Sequence, residues 1–205
     1  MLSTLFSNPL VFLLWAIGLV LAISIHEYAH ARVADRLGDP TPRSQGRLTL
    51  DPRSHLDPLG TIALLFLGFG WGRPVMFDPY NLRSPRRDSA LIALAGPASN
   101  LLFALILSLC TRFLPALSFI APIFGVLILM NISLAIFNLV PVFPLDGEKI
   151  LGGLLSPALY QEYAGIMRQY GTIILILLLL PIAGGTSPIS ALISPVISFV
   201  TGLLL

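Results

Sequence analysis

Residues 1–25 carry no charged side chain, and His26, Glu27 and His30 follow at once. An apolar run of that length can keep its backbone polar groups satisfied inside a membrane only as a helix. The chain is therefore expected to open with a spanning helix that carries a glutamate and two histidines toward its far end. A carboxylate at bilayer depth costs about 2.5–3.5 kcal/mol on insertion scales, and such residues are retained for function.

The rest of the composition agrees with a membrane protein. Hydrophobic residues are 56% of 205, charged residues 11%, and the mean hydropathy is +0.88. A soluble domain carries about 25% charged residues. The expected fold is an all-α polytopic membrane protein. It is a single domain over residues 1–205, a bundle of about five to six transmembrane or partly inserted helices with a small membrane-dipping β-hairpin or re-entrant loop. A sequence pI near 9.0 could suggest nucleic acid, but the basic residues do not cluster as a binding face requires. A single cysteine, Cys110, excludes an intramolecular disulfide. No basic n-region or cleavage site marks a signal peptide, so the N-terminus is expected to be retained.

Long apolar stretches fall at about residues 9–37, 89–109, 121–140, 170–182 and 189–205. Between the first two lies "LGTIALLFLGFG", too short at about 12 residues to cross as a helix and read as half-inserted. Nine of the twelve Lys and Arg residues lie between Arg32 and Arg87, flanking that short element. Lys149 and Arg168 return to the same side, and only Arg112 falls opposite. By the positive-inside rule the N-terminus is outside and the 32–87 region cytoplasmic. The reading is a multi-pass cell-membrane protein whose His26–His30 segment lies within the membrane, nearer the cytoplasmic face. The lipid bilayer is its first partner, and the Arg83, Arg86 and Arg87 cluster is placed against anionic headgroups.

His26, Glu27 and His30 spell H-E-x-x-H. Residues i and i+4 share a helix face, so both imidazoles can reach one ion, Zn2+ being the natural choice. The metal lowers the pKa of a water toward about 7. Glu27, beside His26, can serve as general base and then deliver the proton to a leaving amine. His55, in "RSHLDPLG", lies outside the apolar segments and reads as a loop residue.

A catalytic zinc takes three protein ligands. The other acid at an apolar segment is Asp146 in "NLVPVFPLDGEKIL", where Pro141 and Pro144 break the helix. Broken backbone at membrane depth is tolerated where it lines a cavity. Asp146 can be a ligand, or an N-cap for a helix that begins at Gly147.

"HEYAH" together with "NLVPVFPLDG" resembles the site-2 proteases, the intramembrane zinc metalloproteases of peptidase family M50. "LAGPASN", residues 94–100, matches a third segment of that family, and the similarity spans most of the chain. The resemblance implies one zinc held by His26, His30 and Asp146, with Glu27 as acid/base. It also implies substrate-binding roles for Asn138 and Asn100. The implied partners are transmembrane protein substrates; a regulatory membrane partner or a second copy of the chain stays open. The 205 residues contain no PDZ-like insertion or CBS-type region, so the chain resembles a minimal catalytic core.

Cleaving a helical peptide requires local unwinding, and "LGFGWGRPVMFDP" offers a means. Gly68, Gly70 and Gly72 alternate before a β-prone Val75, and a hairpin edge could pair with an extended substrate. The alternative is a plain re-entrant loop anchored by Trp71 and Tyr80 at the interface. A membrane metal-ion transporter could use the same His, Asp and Glu residues. It gives no reason, however, for a general base between the two histidines. A catalytically silent scaffold fits less well, because no motif residue is missing.

Overall fold

The computed structural model describes residues 7–67, 71–114, 116, 120–181 and 185–205. The first helix, α1, spans Pro9–Leu37. Asn8 caps it by accepting the Val11 amide at 3.2 Å, and proline at the first helical position needs no partner for its missing donor. It stops at Gly38, whose φ of 108° only glycine adopts readily. A single helical turn, Thr41–Ser44, and a 3-10 turn, Pro52–Ser54, follow. Helix α2, Pro58–Leu67, has 10 residues, about 15 Å, too short to cross.

Helix α3 spans Pro85–Phe113 and α4 spans Ala121–Asn138. Among the described residues these and α1 are the three helices long and apolar enough to span a membrane. The three pack against one another. The α3–α4 seam is closed by Ala104, Leu107, Ile128 and Ile132, all buried. A short helix, α5, Asp146–Leu154, lies on α3. Helix α6, Pro157–Leu179, and α7, Pro188–Leu204, complete the chain. Ser156 and Ser187 cap the last two with their hydroxyls. Large apolar side chains face outward along the helices, among them Leu102, Ile106, Ile173 and Leu177. That surface suits lipid rather than water.

The all-α membrane architecture is as expected, and the β-hairpin is not found. Among the described residues β pairing is limited to one isolated bridge, Leu56 to Gly72. The first leg that a hairpin would need is helical, because Pro58–Leu67 has proline at its start and apolar helix formers after it. Residues 71–78 form a lone return leg without helix. Gly68, Gly70 and Ile182 lie outside the described residues. Trp71 and Tyr80 are exposed, as interfacial anchors would be.

The return leg is tied down from three sides. Arg47 is buried, and its guanidinium donates to the carbonyls of Ser54, Arg73 (3.4 Å) and Pro74 (3.5 Å). The Val75 amide donates to Glu27 Oε2 at 2.9 Å, and the Asp78 amide to Asp39 Oδ2 at 2.8 Å. Asp39 is fully buried and also accepts from the Thr41 amide and hydroxyl and from Asn81 Nδ2. Burial works against the Asp39 charge, but the donors from Thr41, Asn81 and Asp78 together outweigh it and hold its carboxyl below the usual range.

Candidate metal centre

Gly18, Ala22, His26, His30 and Ala34 recur every fourth residue and form one buried row on α1. Leu10, Leu13, Ile17 and Leu21 face outward on the same helix. Small residues flanking the histidines let neighbouring helices approach closely. The approach is closest at Gly96 of α3, where a Cβ would lie 2.5 Å from His30 Nε2 and 2.6 Å from His26 Nε2. Only a residue without Cβ fits there. The two rings stand at 85° with centroids 4.6 Å apart.

Asp146 reaches the same point through the broken end of α4. Pro141 and Pro144 cannot continue a helix, and the chain reverses in tight turns, Val142 N–H to Val140 O at 2.8 Å and Leu145 N–H to Val142 O at 2.9 Å. Gly147 lets α5 start against that reversal: a Cβ on it would sit 2.3 Å from the Leu139 carbonyl oxygen. Leu145 occupies the cap position and Asp146 is the first helical residue. The Asp146 carboxylate is therefore not a helix cap. Its Oδ2 lies 3.0 Å from His26 Nε2 and 3.3 Å from His30 Nε2.

The hydrogen bonds behind the rings fix what the ring nitrogens offer. His30 Nδ1 lies 2.7 Å from the Ile92 carbonyl oxygen, so Nδ1 carries the proton. His26 Nδ1 lies 2.6 Å from Asn100 Oδ1. The Asn100 Nδ2 faces two acceptors, the Ala22 carbonyl at 3.0 Å and Asn131 Oδ1 at 2.7 Å, which together set the amide orientation and make His26 Nδ1 the donor. Both Nε2 atoms then present lone pairs toward Asp146 Oδ2. That oxygen is buried and accepts no hydrogen bond among the described residues. Two nitrogen lone pairs and a carboxylate oxygen facing one another, within 4.8 Å, are repulsive without a cation and attractive around one. The donor set, two imidazoles and a carboxylate, fits zinc with a position left for water or substrate.

Glu27 is half-buried beside this cluster. It lines a cavity of about 130 Å³ together with His26, His30, Val75, Asn138 and Asp146. A second, larger cavity of about 360 Å³ also borders Glu27, with apolar walls from Leu19, Ile23, Leu134 and Phe137. Asn138 borders both, its Nδ2 bonded to the Leu134 carbonyl at 3.0 Å.

The family model described as peptidase family M50 matches residues 114–179, a stretch that includes Asn138 and Asp146. YwhC of Bacillus subtilis, named as a proposed zinc metalloprotease, is 37% identical over 174 residues, 79% of this chain and 78% of the relative. The chain belongs to peptidase family M50. Rip2 of Mycobacterium tuberculosis, named in the same way, is 31% identical over 85% of this chain and 70% of its own. A protein named zinc metalloprotease MJ0392, of Methanocaldococcus jannaschii, is 27% identical over 69% of this chain and 35% of its own. No solved structure matches. The M50 membership makes the chain a zinc metalloprotease of the site-2 type, with zinc as its cofactor.

Within this M50 protease the residues singled out from sequence fall in two places. His26, Glu27, His30, Asp146 and Asn138 share the smaller cavity. Asn100, expected beside substrate, is fully buried behind His26 and bonds to His26, Ala22 and Asn131. His55 is buried elsewhere, with Nε2 2.7 Å from the Thr49 carbonyl oxygen. Asn131 was not among the residues expected at the site, although it is one of only two amides in the apolar run of α4, the other being Asn138.

Proposed function

We propose that this protein is an intramembrane zinc endopeptidase that hydrolyses peptide bonds in or near transmembrane segments of membrane proteins. The observation that carries the reading is the convergence of His26 Nε2, His30 Nε2 and the unbonded Asp146 Oδ2 on one point beside Glu27. These three side chains hold the zinc. Zinc bound there supplies Lewis acidity, polarising a carbonyl and bringing the pKa of water toward about 7.

Glu27 moves the protons. Its Oε2 is held by the Val75 amide, and Oε1 takes a proton from the attacking water, then passes it to the departing amine nitrogen. Asn138, with one Nδ2 hydrogen committed to Leu134, offers the other to a substrate carbonyl. Asn100 orients His26 rather than the substrate. The apolar walls of the larger cavity suit the side chains of an unwound membrane segment, and the polar residues of the smaller cavity suit its backbone.

The site lies nearer the cytoplasmic face of a multi-pass cell-membrane protein whose N-terminus is outside, as the Lys and Arg distribution favours. Its substrates are single-span or multi-span proteins in the same bilayer. The test is reconstitution with a single-span substrate, comparing the wild type with Glu27→Gln. Zinc bound at one per chain in both, with cleavage lost only in the variant, is the expected result. A variant that cuts at the normal rate defeats the proposal, and metal flux in sealed vesicles without cleavage makes the protein a transporter.

A further inference from the structure

His26 and His30 occupy equivalent positions on α1, yet they are oriented by different means. His30 Nδ1 donates to a main-chain carbonyl, Ile92 O, which can only accept. His26 Nδ1 meets an amide side chain, Asn100, which could present either oxygen or nitrogen. If Asn100 were turned over, its Nδ2 would face His26. The ring would then have to accept at Nδ1 and carry its proton on Nε2, the atom aimed at Asp146. Some other group must therefore keep Asn100 in one orientation.

Asn131 is placed to do so. It sits mid-way along α4, with relative exposure 0%, in a helix otherwise almost wholly apolar. Its Nδ2 donates to the Leu127 carbonyl one turn back, at 2.8 Å. That commitment leaves Oδ1 to face Asn100 Nδ2, at 2.7 Å. The polarity thus runs in one direction, from the Leu127 carbonyl through Asn131 and Asn100 to His26, and every bond along it joins a donor to an acceptor. The Ala22 carbonyl, 3.0 Å from the same Asn100 nitrogen, points the amide the same way.

We infer that Asn131 is a positioning residue for the metal centre, acting through Asn100 to keep the Nε2 lone pair of His26 turned toward the ion. The inference rests on the reading of His26 as a ligand. A purely adhesive role predicts something different: a hydrogen bond that only joins α4 to α3 has no preference between the two histidines. Partners of metal-ligating histidines that fix the ring tautomer change metal affinity about 10–100-fold when removed.

The chain has three histidines, so 15N-histidine labelling in micelles resolves each ring. Zinc affinity is measured alongside by chelator competition. Asn131→Leu and Asn131→Ala both remove the acceptor, one filling the volume and the other leaving it, and whichever folds carries the test. The expected result is a shift of His26 away from the Nδ1–H form, with His30 unmoved, and zinc binding about tenfold weaker. Asn131→Asp keeps an acceptor toward Asn100 and is expected to hold zinc within about threefold of the wild type. The inference is overturned by a folded acceptor-less variant with an unchanged His26 ring and zinc affinity within twofold. It is overturned equally by His26 and His30 shifting together. A wild type that retains no zinc instead defeats the metal-centre reading on which this one stands.

Discussion

Gly96 meets α1 where His30 leaves no room, since a Cβ on it would come within 2.5 Å of His30 Nε2. The ring cannot retreat easily, because its other nitrogen is held by Ile92 at 2.7 Å. Gly96→Ala is therefore expected to weaken zinc binding at least tenfold. Alanine raises helix propensity by about 0.8–1.0 kcal/mol over glycine, so unchanged or higher helicity with lost zinc isolates the steric effect. Full zinc occupancy in the variant would show that α3 shifts aside.

With Asp146 as the third ligand of the proposed centre, zinc is expected to stabilise the fold. Ligand that binds only the native state at 100 times its Kd stabilises by about 2.7 kcal/mol. For a chain of this size that is roughly 5–10 °C in melting temperature, at about 2–4 °C per kcal/mol. Adding a strong chelator should lower the wild-type melting temperature by about that amount. Asp146→Asn keeps the shape but loses the anionic donor, and its melting temperature should respond to neither zinc nor chelator. A variant that still shifts with zinc would place the third ligand elsewhere.

Asp39 ties the end of α1 to residues 78–81, and its carboxyl is held below the ordinary range. A depressed carboxylate contributes stability that is present above the unfolded value, about 3.9, and fades as the pH falls through the lower folded one. Melting temperature should therefore drop below about pH 4, and Asp39→Ala should remove that part of the acid dependence. At neutral pH the variant strands buried donors, at a cost of about 1–3 kcal/mol. An identical acid profile in wild type and variant would assign the titration to other groups.

Arg47 holds the Arg73 and Pro74 carbonyls and so keeps the Val75 amide on Glu27. Arg47→Met removes the donors while keeping the apolar stem. Hydrogen exchange at the Val75 amide should quicken at least tenfold, and cleavage should fall with zinc content unchanged. Equal protection of that amide in the two proteins would mean that Glu27 alone fixes the segment.

The parts of this architecture that could be read from sequence are those set by local rules. Pro9 and Gly38 punctuate α1, and the four-residue spacing of His26 and His30 puts both on one face. Pro141 and Pro144 announce the break that delivers Asp146. What escaped depends on tertiary partners. The polar first half of α6, from Pro157 to Arg168, looks like a loop by hydropathy, yet Ser156 and Pro157 start a helix there. Residues 71–78 carry β-prone types, but a strand needs a neighbour, and α2 occupies its place. Asp39 and Arg47 act on residues 39 and 27 positions away, and Asn131 acts through Asn100, 31 away. No periodicity links such pairs.

One of the two histidines is fastened to main chain and the other hangs from amides contributed by two further helices. Main-chain geometry is the same whatever residue occupies position 92, so substitution at that position has little purchase on His30. Positions 100 and 131 are, by contrast, adjustable. Efforts to make this centre prefer cobalt or manganese would thus begin a full helix away from the ion, in the middle of α4.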